Sequence, residues 1–131
     1  MYTLSVIFNK DCSRVLMRNM RKQVAYNFIC GNVHDMEDAI DASYRELLSQ
    51  TGITDKDVEL HWISSISACT IDGVYSAYIT TGILNKDIEL KENEDYLEWI
   101  SIANKDIFTD SSVGNGICYQ LLNESINFNN R

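Results

Sequence analysis

The chain has 131 residues, of which 45% are hydrophobic and 23% are charged, and its formal net charge at pH 7 is −8. This composition is typical of one globular domain with an ordinary core, so we expect a single domain over residues 1–131. The acidic balance argues against long nucleic acid as a partner, because neutralising its phosphates needs clustered Lys and Arg. Small phosphorylated molecules are still compatible with this charge as ligands.

The first part of the chain predicts short β-strands. Residues 2–9, "YTLSVIFN", and residues 14–20, "RVLMRNM", are apolar or β-branched runs. They flank the turn-like "KDCS", so we expect a hairpin. Residues 24–30, "VAYNFIC", predict a third short strand that ends at Gly31.

From residue 35 the apolar spacing changes to that of a helix. Asp35 is the expected N-cap, Asp38 is expected in the first turn, and Gly52 suits the left-handed position that ends a helix. Arg45, Glu46 and Ser49 are expected on the polar side. The buried side is predicted from apolar residues at helical spacing, which are Ile40, Tyr44, Leu47 and Leu48.

The remainder predicts three strands and a second helix. Residues 58–70 and 74–84 are strands joined through "IDG", whose Asp-Gly pair is a hairpin signal, and residues 96–102 form another strand. The second helix covers residues 114–126, with one apolar side made of Ile117, Cys118, Leu121 and Leu122. Strands before, between and after helices indicate an α/β fold with a mixed sheet covered by helices.

Neither a membrane span nor a secretion signal is expected. Apolar runs such as "AYITTGIL" are far shorter than the roughly 20 residues that cross a bilayer. The start, "MYTLSVIFNKD", lacks a basic segment followed by an apolar stretch. We therefore expect a soluble, cytoplasmic protein with no membrane partner, and a homodimer stays open.

The cysteines indicate buried, reduced thiols. Their positions are Cys12, Cys30, Cys69 and Cys118. They are widely spaced, with no C-x-x-C pair and no matching His pair, so they predict neither a zinc site nor a disulfide framework.

The stretch "GNVHDMEDAIDASYRELLSQTGI" resembles the box of the Nudix family, G-x5-E-x7-R-E-U-x-E-E-x-G-U, in which U is a bulky aliphatic residue. The positions that match are Gly31, Glu37, Arg45, Glu46, Leu47, Gly52 and Ile53. The later "EWISI" resembles a Trp-containing strand of that family, so the resemblance covers nearly the whole chain. It implies a small MutT-like protein with an α/β/α sandwich, in which a mixed sheet lies between helices.

The resemblance also implies a chemistry, the metal-dependent cleavage of a nucleoside diphosphate linked to another group, as in a nucleoside triphosphate. Such cleavage needs a divalent metal to neutralise phosphate oxygens and a base to help deprotonate water. The implied cofactor is Mg²⁺ or Mn²⁺, and the implied partner is a small nucleotide-like molecule. The implied residues are Glu46 and Arg45 for catalysis, Glu46, the Cys30 carbonyl, Glu92 and Glu94 for metal, and Gly31, Glu37 and Gly52 for the frame of the box.

Several positions depart from the family pattern. Ser49 and Gln50 stand where the box has two glutamates. Both can accept a hydrogen bond or hold a metal-bound water, but neither carries a charge or is a credible base near neutral pH, so metal binding should be weak. Met36 replaces a common glycine before Glu37, and Cys30 replaces another, which predicts a shifted loop path.

Ordinary structural explanations compete with these roles. Arg45 and Glu46 are also consistent with a solvated helix face on which Asp41 pairs with Arg45. His34 and His61 are more typical of surface positions than of a general base. Four aromatic residues are suited to stacking on a ligand but are more often core at strand positions, namely Tyr26 and Phe28, our substrate-binding candidates, and Trp62 and Trp99.

Two hypotheses follow from the sequence. One is a Nudix hydrolase whose missing groups are supplied from elsewhere, including the loop that carries Glu92 and Glu94. The other is a non-catalytic Nudix-fold module that binds a nucleotide-like ligand or a protein partner. The chemistry of Ser49 and Gln50 favours the second.

Overall fold

The structure is a computed structural model that describes residues 1–20, 25–70, 73–90, 97–109 and 118–130. The strands are β1 (Tyr2–Phe8), β2 (Arg14–Met20), β3 (Ala25–Asn27), β4 (Ile29–Asn32), β5 (His61–Thr70), β6 (Gly73–Ile83) and β7 (Leu97–Ser101). The helices are α1 (Ala39–Thr51), α2 (Lys105–Thr109) and α3 (Cys118–Asn129). None of the helices in these ranges is long and apolar enough to cross a membrane.

Strand β1 organises the sheet. It runs parallel to β6 along its whole length and pairs antiparallel with β4 through its first half. It meets β2 at a single register pair, Phe8 with Val15. Strand β2 carries β3 and β7 as antiparallel neighbours, and β5 pairs antiparallel with β6. One parallel pair among antiparallel ones makes the sheet mixed, as predicted.

Helices cover both faces of the sheet. Alternate residues of β1 point to opposite faces because the side-chain period of a strand is two. One face contributes to a core with α2 and α3, whose buried members include Leu4, Val6, Phe8, Phe108, Leu121 and Leu122. The other face contributes Ile7 to a core with α1, together with Leu16, Ile29, Leu47 and Ile53. The predicted α/β/α sandwich is therefore confirmed.

The predicted bounds of α1 need one correction. Asp38, not Asp35, is the N-cap, since its side chain accepts a hydrogen bond from the backbone N–H of Ile40 at 3.3 Å. Met36 has a positive φ of 66°, so the chain is not yet helical there. Gly52 ends the helix at a φ of 79°, and its N–H donates to the Leu48 carbonyl, as predicted.

The buried side of α1 also differs from the prediction. Leu48 is 52% exposed, whereas Ala42 and Ser43 are buried beside Leu47. Small side chains allow the helix to lie close to the sheet. The side of α1 that faces the sheet is therefore the one with small residues, and not the one with the most apolar volume.

Other elements follow the sequence with smaller differences. Residues 24–30 form no continuous strand, because β3 and β4 are separated at Phe28, whose N–H donates to the Asn27 side chain at 2.9 Å. Val58 makes an isolated bridge to Leu84 ahead of β5. In α3 the residues Cys118, Leu121 and Leu122 are buried as predicted, while Ile117 lies outside the described residues. The five residues of α2 are too few for periodicity to reveal.

The thiols that the structure describes are free. Cys118 is buried, and Cys12 and Cys30 are half-buried. Burial raises the pKa of the Cys118 thiol to about 11, so it stays protonated and inert at neutral pH. The side chain of Cys69 lies outside the described residues.

A cluster of buried hydroxyl groups joins α1 to the sheet. Ser43 of α1 contacts the Thr3 hydroxyl of β1 and accepts from the Thr80 hydroxyl of β6 at 3.3 Å. Ser5 and Thr80 are 2.8 Å apart through their hydroxyl oxygens, and Ser43 donates to the Ala39 carbonyl at 3.0 Å. All four hydroxyl side chains are at most 1% exposed. Buried polar groups are costly when unpaired, so this cluster fixes where α1 lies on β1 and β6.

Replacing Ser43 by Ala should therefore destabilise the fold. Thr3 and Thr80 would each lose a buried partner, for which we expect a loss of about 1–3 kcal/mol in the free energy of unfolding. Urea unfolding measures this loss. Ser49→Ala, an exposed site on the same helix, is the matched control and should change stability by less than about 0.5 kcal/mol. Equal effects of the two substitutions would contradict the role of the cluster.

Candidate functional site

We use the name box site for Cys30, Gly31, Glu46 and Gln50, which meet where α1 packs on β4. Glu46 is half-buried, with 19% of its side chain exposed, and it lies directly on Gly31. A Cβ atom built at Gly31 would be 2.1 Å from Cδ of Glu46. A larger residue at position 31 would therefore have to displace the Glu46 side chain from its present place.

Arg45 holds the frame of the site. Its Nε and Nη2 donate to the two carboxylate oxygens of Glu37 at 3.0 and 2.9 Å, and Nη2 also donates to the Asn32 carbonyl at 2.6 Å. Its Nη1 donates to Oε1 of Glu46 at 2.7 Å. A planar guanidinium suits such paired contacts. Arg45 thus pairs with Glu37 and Glu46, in place of the i, i+4 pair with Asp41 that we weighed.

Glu37 braces the loop before α1. Besides Arg45, its carboxylate accepts from the backbone N–H of His34 at 3.0 Å. These hydrogen bonds, first that from Arg45 and then that from His34, lower the pKa of Glu37 from 4.5 to about 2. The bond to Glu37 in turn raises the pKa of Arg45. Met36 lies in the loop between His34 and Glu37. It adopts the left-handed conformation that glycine takes most easily, which fits the glycine that is common at this position of the Nudix box.

Gln50 lies at the centre of the box site. Its amide nitrogen Nε2 donates to the Cys30 carbonyl at 2.8 Å and to Oε2 of Glu46 at 3.0 Å. Its amide oxygen accepts from Nη1 of Arg18 at 3.5 Å. We expected Gln50 to act as an acceptor or to hold a metal-bound water. The amide oxygen does accept. The amide nitrogen, however, donates to Glu46 and to the Cys30 carbonyl, two of the groups that the resemblance assigns to metal.

The remaining implied ligands do not complete a metal site in the part of the chain that the structure describes. Ser49 is exposed, and Glu92 and Glu94 lie outside the described residues. Among the described residues, no group of three or more His, Cys, Asp or Glu side chains is arranged to hold a metal ion. The described donor set is one carboxylate and one carbonyl, each already accepting from Gln50. It does not fit Mg²⁺, which prefers several oxygen ligands.

The two aromatic candidates for substrate binding differ in how far they are buried. Phe28 is 1% exposed and belongs to the core with α2 and α3, so its ring is not open to a ligand in this structure. Tyr26 is half-buried, and its hydroxyl donates to Glu98 at 3.2 Å.

The other aromatic and histidine candidates contact residues other than the four of the box site. Trp99 packs on the core with α1 and donates to the Ile88 carbonyl at 3.3 Å. Trp62 is 57% exposed and stacks edge-on against Tyr78. His61 is exposed and lies 5.4 Å from Phe128, measured between ring centroids. His34 is exposed and contacts Glu37 through its backbone.

Sequence reasoning missed Arg18 and Asn32. Arg18 is on β2, thirty-two positions before Gln50, and Asn32 contributes a backbone carbonyl, which any residue carries. No signal in the sequence distinguishes either one from an ordinary strand residue.

Solved structures share this arrangement of elements. The E. coli dihydroneopterin triphosphate pyrophosphohydrolase superposes with a TM-score of 0.79 at 17% identity, over 96% of this chain and 94% of that one. The C. elegans Ap4A hydrolase gives 0.76 at 16% identity, over 97% and 96%. The Nudix domain of Shewanella oneidensis NrtR, complexed with ADP ribose, gives 0.74 at 12% identity, over 97% and 86%. No family model and no curated protein matches the sequence. The chain has the Nudix fold.

The lowered pKa of Glu37 predicts a pH-dependent contribution to stability. A carboxyl whose pKa falls on folding stabilises the protein above its unfolded value of 4.5, and this contribution disappears as pH falls through that value toward 2. Glu37→Gln should therefore destabilise the protein most near pH 7, and the difference from wild type should shrink below pH 4.5. Urea unfolding at several pH values measures this, with the exposed Glu59→Gln as control. A difference that is constant with pH would contradict it.

The contact between Gly31 and Glu46 predicts a coupling between these positions. Gly31→Ala alone should cost about 1–3 kcal/mol, because the new methyl group overlaps the Glu46 side chain. The same substitution in a Glu46→Ala background should cost clearly less, because the overlapping atoms are gone. A double-mutant cycle by urea unfolding measures the coupling, and equal costs in both backgrounds would rule out this steric explanation.

Proposed function

We propose that this Nudix-fold chain binds a small, nucleotide-like phosphorylated molecule at the box site, and that it hydrolyses that molecule slowly if at all. The observation that carries the proposal is the Gln50 amide, which donates to both Glu46 and the Cys30 carbonyl. The chain keeps the frame of the box while one of its glutamate positions has become a hydrogen-bond donor.

The class of ligand is supported by the molecules named for similar structures. Dihydroneopterin triphosphate, Ap4A and ADP ribose are named for three of them. All three contain linked phosphate groups attached to an organic group. The net charge of −8 supports a small ligand of this kind over a long nucleic acid.

The state of Glu46 supports slow hydrolysis. Removal of a proton from the attacking water needs a base with a free lone pair in reach. Arg45 donates to one oxygen of Glu46 and Gln50 donates to the other, so each oxygen has one lone pair already occupied and offers a water or a metal fewer sites than an unpaired carboxylate would. The two substituted positions, Ser49 and Gln50, add no charge that would attract Mg²⁺ or Mn²⁺. We propose that these residues hold either ion weakly or not at all.

A hydrolase with relocated groups is the second candidate. It is favoured by the intact frame, in which Arg45 joins Glu37 to Glu46 and Gly31 leaves room for the carboxylate. Under this proposal Glu92 and Glu94 would supply the missing charge. Phosphoanhydride cleavage would then depend on Glu46 as well as on that loop.

One panel of ligands separates the two candidates. The purified protein is incubated with nucleoside triphosphates, nucleotide sugars and dinucleoside polyphosphates, with Mg²⁺ and then Mn²⁺, and both binding and phosphate or pyrophosphate release are measured. We expect binding of at least one compound with no release above that of a Glu46→Gln control. Light scattering on the same sample tests for a homodimer.

The other outcomes are equally informative. Release that disappears in Glu46→Gln would replace our proposal with the hydrolase, and Glu92→Gln and Glu94→Gln would follow. An absence of both binding and release would overturn a nucleotide-like ligand and direct the search to a protein partner.

A further inference from the structure

We propose that the Gln50 carboxamide takes the place of a divalent cation in the box site, so that this site excludes Mg²⁺. The inference deepens the proposed function by making ligand binding there independent of metal, and it rests on the proposed function for that consequence. The exclusion itself depends on the described geometry of Gln50, Glu46 and Cys30.

The hydrogen bonds determine which end of the amide faces Glu46. The Cys30 carbonyl and Oε2 of Glu46 are both acceptors and lie 2.8 and 3.0 Å from Nε2. On the other side, the Arg18 guanidinium is a donor that lies 3.5 Å from Oε1. Turning the amide over would place oxygen against two acceptors and an NH₂ group against a guanidinium. All three contacts therefore agree on one orientation.

The Gln50 amide has as many hydrogens to donate as there are acceptor oxygens facing it. A side-chain NH₂ group has two hydrogens, and here one is directed to the Cys30 carbonyl and one to Glu46. A metal ion bound between the same two oxygens would have to displace this group and break both hydrogen bonds. The amide thus performs the bridging role that a cation would have, without a net charge.

The local charge also disfavours a cation. The one carboxylate of the box site is already paired with Arg45, whose Nη1 is 2.7 Å from Oε1 of Glu46. A second guanidinium, that of Arg18, contacts Gln50 from the opposite side. Among the residues that the structure describes, a divalent ion here would meet one half-buried carboxylate, that of Glu46, and two positive groups, those of Arg45 and Arg18. Such like-charge neighbours oppose binding most where water is partly excluded.

Gln50→Glu is the smallest change that tests this inference. It keeps the shape of the side chain and replaces the NH₂ donor by an oxygen acceptor. Without metal, one oxygen of the new carboxylate would still accept from Arg18, but the other would face Oε2 of Glu46 and the Cys30 carbonyl, and these three acceptors would repel one another. With metal, the same three oxygens would converge on it, which is the kind of ligand set that Mg²⁺ and Mn²⁺ accept.

The experiment titrates Mn²⁺ into protein without nucleotide and follows free Mn²⁺ by electron paramagnetic resonance. Leu48→Glu is the matched control, because it adds the same charge to α1 at a 52% exposed position. Residues two apart on a helix do not face each other, so this new carboxylate points away from Glu46 and from Gln50. We expect Gln50→Glu to bind Mn²⁺ about tenfold or more tighter than wild type, and Leu48→Glu to match wild type.

Thermal unfolding provides a second measurement. Gln50→Glu should have a lower Tm than wild type in EDTA, and Mg²⁺ should raise that Tm while leaving wild type and Leu48→Glu nearly unchanged. If Gln50→Glu is unfolded in EDTA, folding on addition of Mn²⁺ is the same supporting result. Failure to fold with Mn²⁺ would overturn the inference.

Two other results would overturn it. One is tight Mn²⁺ binding by wild type that is lost in Glu46→Gln, because the site would then accept metal despite the amide. The other is a folded Gln50→Glu that binds Mn²⁺ no better than Leu48→Glu. Since no nucleotide is present, a failure here is separate from a failure of the ligand panel.

Discussion

The ion-pair network of Arg45 is the constraint on which the site depends. One guanidinium joins the loop at Glu37, the end of β4 at Asn32 and the box helix at Glu46. These groups lie on three different parts of the fold, a loop, a strand and a helix, and Arg45 contacts all three. Because the Glu37 and Glu46 contacts are charged and only partly exposed, solvent screens them less than an ordinary surface pair. The network orients Glu46 on Gly31, and Gln50 then has a fixed oxygen to which it donates.

The side of α1 that faces the sheet is held by neutral groups. The hydroxyl cluster of Thr3, Ser43 and Thr80 connects the helix to the two central strands β1 and β6. An apolar contact of similar area would tolerate sliding, whereas paired hydroxyls require particular positions. The helix is therefore fixed at its first half by the sheet and near its middle by Arg45.

The site keeps the contacts of Gly31, Glu37 and Arg45 although Ser49 and Gln50 stand at two positions where the Nudix box has glutamates. The residues that shape the box, Gly31, Glu37 and Arg45, make the contacts that a working frame needs. Gln50 uses the same frame for a different purpose, because a glutamine has the size of a glutamate but reverses the sign of one hydrogen-bonding group. On our proposal, this exchange of a single group at one helix position turns a potential metal ligand into a competitor for metal.

Much of the fold was readable because it depends on local patterns. The hairpin signals around β1, β2, β5 and β6 and the end of α1 at Gly52 follow from runs of apolar residues and from turn chemistry. The prediction of the N-cap was wrong because Asp35 and Asp38 are equally suited to capping by residue type. Met36, between them, has a left-handed backbone, so the helix begins only after it, at Asp38. The buried side of α1 was misjudged at Leu48, since closeness to the sheet favoured Ser43 over a larger apolar residue.

By itself, the sequence determined the order of the longer strands and of the two longer helices, the resemblance to the Nudix box, and the absence of two carboxylates at Ser49 and Gln50, because each is a matter of residue type and spacing. Tertiary structure alone decided that Phe28 is core and that the Gln50 amide donates to Glu46 and to Cys30. A side chain's burial and the direction of its hydrogen bonds depend on partners brought together by folding, and in this site Arg18 and Cys30 are thirty-two and twenty positions from Gln50.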